Sequence, residues 1–129
     1  MSALSCKTTH LTLEVGVGNL KFRSDWSHEQ DGYIRPGEPL SIEYAIERLP
    51  QCRASRYGQD AWNLVATTRF HPGGEEQQGS VAKRFLTVDV PVGTKRIEMW
   101  FNNTDHVGCV AWDSRFGQNY WFDVTPDAG

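Results

Sequence analysis

The chain of 129 residues has no apolar run long enough to span a bilayer, no cluster of Lys or Arg, and no segment that sustains the three-to-four-residue apolar period of a long helix. Each lack excludes something. Without the apolar run there is no helical membrane span to expect, and Met1 to His10 also lacks the apolar core of a signal peptide, so it reads as a loose tail on a cytoplasmic chain. With 13 basic against 16 acidic side chains and a net charge of -3, neither a nucleic acid nor a membrane surface is an expected partner. Without helical periodicity, the fold must be built from strands.

Cysteine is equally sparse. Cys6, Cys52 and Cys109 are odd in number and widely separated, which fits neither a disulfide framework nor the paired spacing of a zinc site. Buried or idle thiols are the expectation, with a Cys52 to Cys109 bridge the alternative for an exported relative. Chemistry-bearing motifs are lacking too. His10, His28, His71 and His106 are scattered, there is no Gly-x-Ser-x-Gly elbow, and Gly16-Val17-Gly18 lacks the third glycine of a nucleotide cradle. Arg115 stands where a calcium loop starting at Asp113 needs an oxygen ligand. The expectation is therefore no metal and no cofactor, with catalysis left only to a pocket where distant side chains such as Asp105, His106 or Glu98 converge. The sequon Asn102-Asn103-Thr104 carries no functional weight in a chain without an export signal.

Alternation is what the sequence does have. Leu11, Leu13, Val15 and Val17 alternate with polar residues or glycine, as do Leu40, Ile42, Tyr44 and Ile46 with Ser41, Glu43, Ala45 and Glu47. This period of two marks strands with one dry face. Further strands are predicted over Trp62 to Phe70, Phe85 to Val90, around Ile97, Met99 and Phe101, and over Tyr120 to Val124. Between them, Ser24 to Pro39 reads as one long loop, Gln51 to Asp60 as a polar connection, and His71 to Ser80 as a turn followed by an exposed loop. The pattern predicts a single domain, an antiparallel β-sandwich of seven or eight strands. On the last two strands the alternation also sends Glu98, Trp100, Asn102 and Trp121 to the wet face.

The most informative stretch is Trp112-Asp113-Ser114-Arg115-Phe116-Gly117-Gln118-Asn119-Tyr120, a polar loop with one glycine running into an aromatic strand. Indole and phenol rings offer flat apolar faces with a polar edge, and Asp and Asn offer acceptors and donors. Trp112, Asp113, Gly117, Asn119 and Tyr120 stand in register with the closing signature Trp-Asp-x-Asn-x-Gly-x-Asn-Tyr of carbohydrate-binding module family 21. From Trp62 to Val124 the chain resembles those starch- and glycogen-binding modules, found on amylases and on glycogen-targeting subunits of protein phosphatase 1. It departs from them at Ser114-Arg115, where the family has its second Asn, and at His71-Pro72-Gly73-Gly74, where the family tends to place an exposed Trp. The first half is more similar to small bacterial proteins of uncharacterised function that share the fold.

The resemblance implies an immunoglobulin-like sandwich that binds an α-glucan or related glycan without catalysis. In that reading Trp112 stacks on the sugar, Asp113 and Asn119 hydrogen-bond its hydroxyls, Tyr120 completes the loop, and Phe116 or Arg115 rims the groove. Each residue also has a structural alternative: Asp113 as a turn cap, Gly117 as a positive-φ position, Trp112 and Tyr120 as edge seals. Trp100 and Trp121 form a second candidate platform, for sugar or for a partner protein. Trp26 and Tyr33 are expected to anchor their loop, and Trp62 to enter the core. The competing functional class is a protein-interaction module, such as a homodimer formed through a strand edge or the Trp100 and Trp121 face.

Overall fold

The computed structural model describes residues 18–105 and 107–126. The predicted strand over Leu11 to Val17, the N-terminal tail, Cys6 and His106 lie outside the described residues. In chain order the strands are β1 (Gly18–Phe22), β2 (His28–Asp31), β3 (Pro39–Tyr44), β4 (Ser55–Arg56), β5 (Gln59–Asp60), β6 (Asn63–His71), β7 (Glu75–Ser80), β8 (Phe85–Asp89), β9 (Arg96–Thr104), β10 (Val110–Asp113) and β11 (Tyr120–Asp123). A single 3-10 turn, Ile46–Arg48, follows β3.

The fold is an all-β sandwich, as the alternation predicts. One sheet has the order β2-β1-β3-β8, in which β1 and β3 run parallel and the other pairs antiparallel. The second has the order β10-β9-β6-β7, with β11 also paired to β9. Both β10 and β11 lie along the same side of β9, against Phe101 to Thr104 and Arg96 to Met99 respectively. The loop 114–119 that joins them is thereby held at the rim of the sheet. β4 and β5 form a separate two-residue hairpin.

The core follows the alternating residues. Leu40, Ile42 and Tyr44 of β3 meet Leu64, Ala66 and Phe70 of β6 and Ile97, Met99 and Phe101 of β9, all buried. At one end the filling is aromatic: Phe22 packs edge-on against Phe101 and Tyr120, and Tyr44 lies 4.2 Å from Phe101 between ring centroids. Burying each such side chain stabilises the fold by roughly 1.5–3 kcal/mol.

Besides the short β4–β5 hairpin within Gln51 to Asp60, two strands fall wholly where loops are predicted. β7 is the polar tract Glu75–Ser80, and it pairs with β6 over six residues. An edge strand needs no dry face, because its backbone is satisfied on one side by its neighbour and on the other by solvent. Its contacts with β8 close the gap between the sheets: the Gln77 amide donates to Asp89 O and accepts from Asp89 N. Gly79 permits that approach, since a Cβ there would stand 2.5 Å from a Leu86 methyl carbon. β2 is the second case. His28–Asp31 pairs antiparallel with β1 but is exposed throughout, so it too has no apolar signature.

The cysteines also differ from expectation. Cys52 and Cys109 are joined in a disulfide across 57 residues of sequence. The segment after the 3-10 turn is drawn to the β9–β10 connection by Asn103, whose amide donates to Gln51 O at 2.7 Å. The Asp105 carboxylate accepts from Val107 N and Cys109 N and shapes that connection.

Candidate functional site

The sandwich end that holds the aromatic filling opens into a groove of about 940 Å³ between the β1–β2 turn and the loop 114–119. Trp26 and His28 line one wall, and Trp112, Arg115 and Phe116 the other. Three of these are large aromatic side chains left in solvent: Trp26 is 57 % exposed, Trp112 59 % and Phe116 fully. Isolated exposed aromatics are ordinary, but three converging on one concavity form a contiguous apolar surface of the kind that binds ligands.

Each wall is locally constructed. In the β1–β2 turn, Arg23 N donates to Ser27 O and Trp26 N to Arg23 O, while Asp25 accepts from the Ser27 backbone and hydroxyl. Trp26 is held at φ 73°. In the opposite loop, Gly117 N and Asn119 N both donate to Ser114 O, and Gln118 N donates to Arg115 O. This tight winding puts Arg115 at φ 50°, Phe116 at 59°, Gly117 at 90° and Asn119 at 63°. Glycine takes such angles freely and Asn tolerates them, whereas a bulky side chain there costs on the order of 1–3 kcal/mol and persists when its surroundings enforce it.

Beneath the groove lies a buried polar floor. Asp113 Oδ2 accepts from Arg48 Nε at 2.9 Å and from the Tyr44 hydroxyl at 2.7 Å, and its Oδ1 accepts from the Tyr120 hydroxyl at 2.5 Å. Arg48 continues the network. Its Nη2 donates to Tyr120 Oη at 2.8 Å, and its Nη1 donates to the carbonyls of Arg23 and Ser27. One buried guanidinium thus ties Asp113 on β10 to the turn that carries Trp26, and the Trp26 ring rests 4.7 Å from it.

These surroundings set the titrations. Burial alone would pull the Arg48 guanidinium down, but its hydrogen bond to Asp113 and the attraction of that carboxylate hold it above its ordinary value. Burial pushes the Tyr120 phenol up to about 12, with the Asp113 hydrogen bond and charge acting the same way, and Tyr44 is raised by burial and by that same carboxylate. Both phenols stay protonated as donors. Partial burial pushes the His28 imidazole below 6.5, and the charges of Arg115 and Arg48 add to it. At neutral pH that ring is uncharged.

The residues singled out from the sequence therefore separate into two layers and two faces. Trp112 and Phe116 are on the groove walls, where the loop motif puts them. Asp113 and Tyr120 are buried, with both carboxylate oxygens of Asp113 occupied by protein donors, so they support the groove instead of presenting free groups to sugar hydroxyls. Asn119 turns away from the groove: its amide donates to Glu98 Oε2 at 2.7 Å on the outer face of the second sheet.

Trp100 and Trp121 do face outward on that sheet, as the alternation predicts, but they are not a bare pair. Arg69 lies over the Trp100 ring at 5.0 Å, and Trp121 has Arg96 over it at 4.6 Å and His71 stacked at 5.2 Å. Between them sits Glu98, which accepts from His71 and Asn119 and pairs with Arg69. Of the other aromatics, Tyr33 is largely exposed, and Trp62 is half-buried with Arg53 4.2 Å over its ring.

The sequence reading takes Trp26 as a loop anchor, Tyr44 as a strand residue and His28 as part of no constellation, and it passes over Arg48. The signal for Arg48 is a charge set among Ile46, Leu49 and Pro50. Among the described residues, no three His, Cys, Asp or Glu side chains gather as metal ligands.

A family model covers residues 7–125, nearly the whole chain. The chain belongs to DUF6209, a family of unknown function. No curated protein and no solved structure matches it. Membership in DUF6209 spans both halves of the sandwich, so the β1–β2 turn and the loop 114–119 that build the groove both lie within the family's extent.

Proposed function

We propose that this domain binds a glycan without catalysis, an α-glucan or a related polymer, in the groove between Trp26 and Trp112. The observation that carries the reading is the convergence of three exposed aromatic rings over a rigid polar floor. Pyranose rings have apolar C–H faces that stack on indole and phenyl rings, and their hydroxyls gain little over water, so stacking supplies most of the net affinity. His28, Ser114, Gln118 and the loop backbone provide polar groups at the rim. The Arg48–Asp113 network keeps both walls in place before a ligand arrives, which lowers the ordering cost of binding. A single such site binds weakly, at roughly millimolar to high-micromolar Kd.

The test is retention on amylose and glycogen and on a glycan array. Folded Trp26→Ala and Trp112→Ala variants lose retention, whereas Asn119→Ala, whose amide faces the other side of the sheet, keeps it. Unchanged retention by both tryptophan variants removes the groove from the site. A concentration-dependent mass in sedimentation with no response to any glycan favours a protein-interaction module instead.

A further inference from the structure

The charge on the residues that line the groove is one-sided. Arg115 lines it as an exposed guanidinium, and among the described residues no carboxylate pairs with it. Five of the other eight arginines pair with a carboxylate: Arg23 with Glu29, Arg48 with Asp113, Arg69 with Glu76, Arg84 with Glu47 and Arg96 with Asp123. Among the groove residues the sole carboxylate is Asp113, buried and committed to Arg48, so that pair cancels. Asp25, next to Trp26, keeps its negative charge, but it is not among the residues that line the groove. The lining is left with one unpaired positive charge, set 5.9 Å from the Tyr120 ring and next to the exposed Phe116.

We propose that the groove selects an anionic glycan, a chain of hexuronate units, and that Arg115 reads its carboxylate. A hexuronate carries its carboxylate on the carbon outside the ring, so when the sugar face stacks on an aromatic wall the charge lies at the ring's periphery. Arg115 stands at the corresponding rim of this groove. Its planar fork matches a carboxylate in two parallel hydrogen bonds, a geometry that a neutral hydroxymethyl group cannot satisfy. The left-handed backbone that Arg115 and Phe116 share, closed by the Ser114 carbonyl, sets where the Arg115 side chain leaves the loop. The inference rests on the glycan reading and narrows its ligand class.

The experiment is calorimetric titration of the intact domain with an α-linked oligogalacturonate, its methyl ester and neutral maltoheptaose. The acid binds about five- to tenfold tighter than the ester, and that margin shrinks as salt rises from about 20 to about 300 mM. Arg115→Gln removes the margin between acid and ester, while Arg115→Lys restores part of it. Equal binding of acid and ester overturns charge recognition, and binding of maltoheptaose alone does so while leaving the glycan reading intact. Binding of none of the three overturns both. Should Arg115→Gln fail to fold, the ester comparison and the salt series on the unaltered domain decide the matter.

Discussion

Arg48 and Asp113 form a buried ion pair at 2.9 Å, and four residues further along one segment and four back along the other, Cys52 and Cys109 are joined covalently. The same two stretches of chain are therefore tied twice, once by charge and once by sulfur. One tie lies directly under the groove, and the other lies at the start of β10, whose last two residues are Trp112 and Asp113. The arrangement explains how a wall made of a short strand and a six-residue loop keeps its place at a sheet rim.

Removing one member of the ion pair leaves a charge buried with no partner. Asp113→Asn keeps the shape but strips Arg48 of its counter-charge, and the expected loss of folding free energy is about 3–5 kcal/mol, read from urea unfolding. The double variant Arg48→Met with Asp113→Asn recovers part of that loss because no ion remains to be desolvated. A single-variant loss below about 1 kcal/mol would show that the floor does not hold the walls.

The disulfide closes a long loop, with a sequence separation of 57. By the chain-entropy account a closure of that size stabilises by about 4 kcal/mol. Reduction, or the pair Cys52→Ser and Cys109→Ser, is expected to lower the unfolding midpoint accordingly and to speed amide exchange in β10 before that in β6. Such bonds persist in oxidising compartments and are reduced in most cytosols. Thiol labelling of the protein recovered from its native location, with both cysteines blocked to the label, is the result expected if the tie operates there.

On the opposite face, Glu98 gives the domain a pH dependence whose direction follows from its partners. Burial alone would push its carboxyl up, but hydrogen bonds from His71 and Asn119 and the charge of Arg69 outweigh it and hold it below 4.5. The unfolded chain then binds the proton more readily, so stability rises with pH across that window. The advantage of Glu98 over a Glu98→Gln variant is expected to be full above about pH 5 and to vanish as pH falls through the folded carboxyl's own value. A constant difference between the two proteins down to about pH 3 would contradict the network.

The sequence makes the sandwich legible where burial has a period. Leu40 to Tyr44, Ile97 to Phe101 and Tyr120 to Phe122 write their dry faces directly into the alternation, and the wet faces of Trp100 and Trp121 follow from it. β7 is invisible because Glu75–Ser80, an edge strand, carries no apolar side chain on which an alternation could depend. The loop motif places Trp112 and Phe116 correctly at a surface, yet it cannot reveal that Asp113 is consumed from below. The partners that consume it, Tyr44 and Arg48, lie 69 and 65 residues away in the chain. Trp26 is hidden for the same reason: in the sequence it is one aromatic in a polar loop, and only the docking of the β1–β2 turn on Arg48 sets it opposite Trp112.

Phe116 separates the needs of folding from those of binding. Its side chain is fully exposed and makes no stabilising burial, while its backbone sits at φ 59°, a conformation disfavoured for a residue with a Cβ. A glycine there gives up no packing and relieves the strain, at the cost of extra freedom in the unfolded chain. The net expectation for Phe116→Gly is a gain of about 0.5–1 kcal/mol in stability, measured by urea unfolding, together with weaker retention on the glycan that the groove binds. Phe116→Ala, which keeps a Cβ, loses the same retention without gaining that stability. If Phe116→Gly were less stable than the parent and bound equally well, Phe116 would be a structural element of the loop, and the groove would have only its two indoles for stacking.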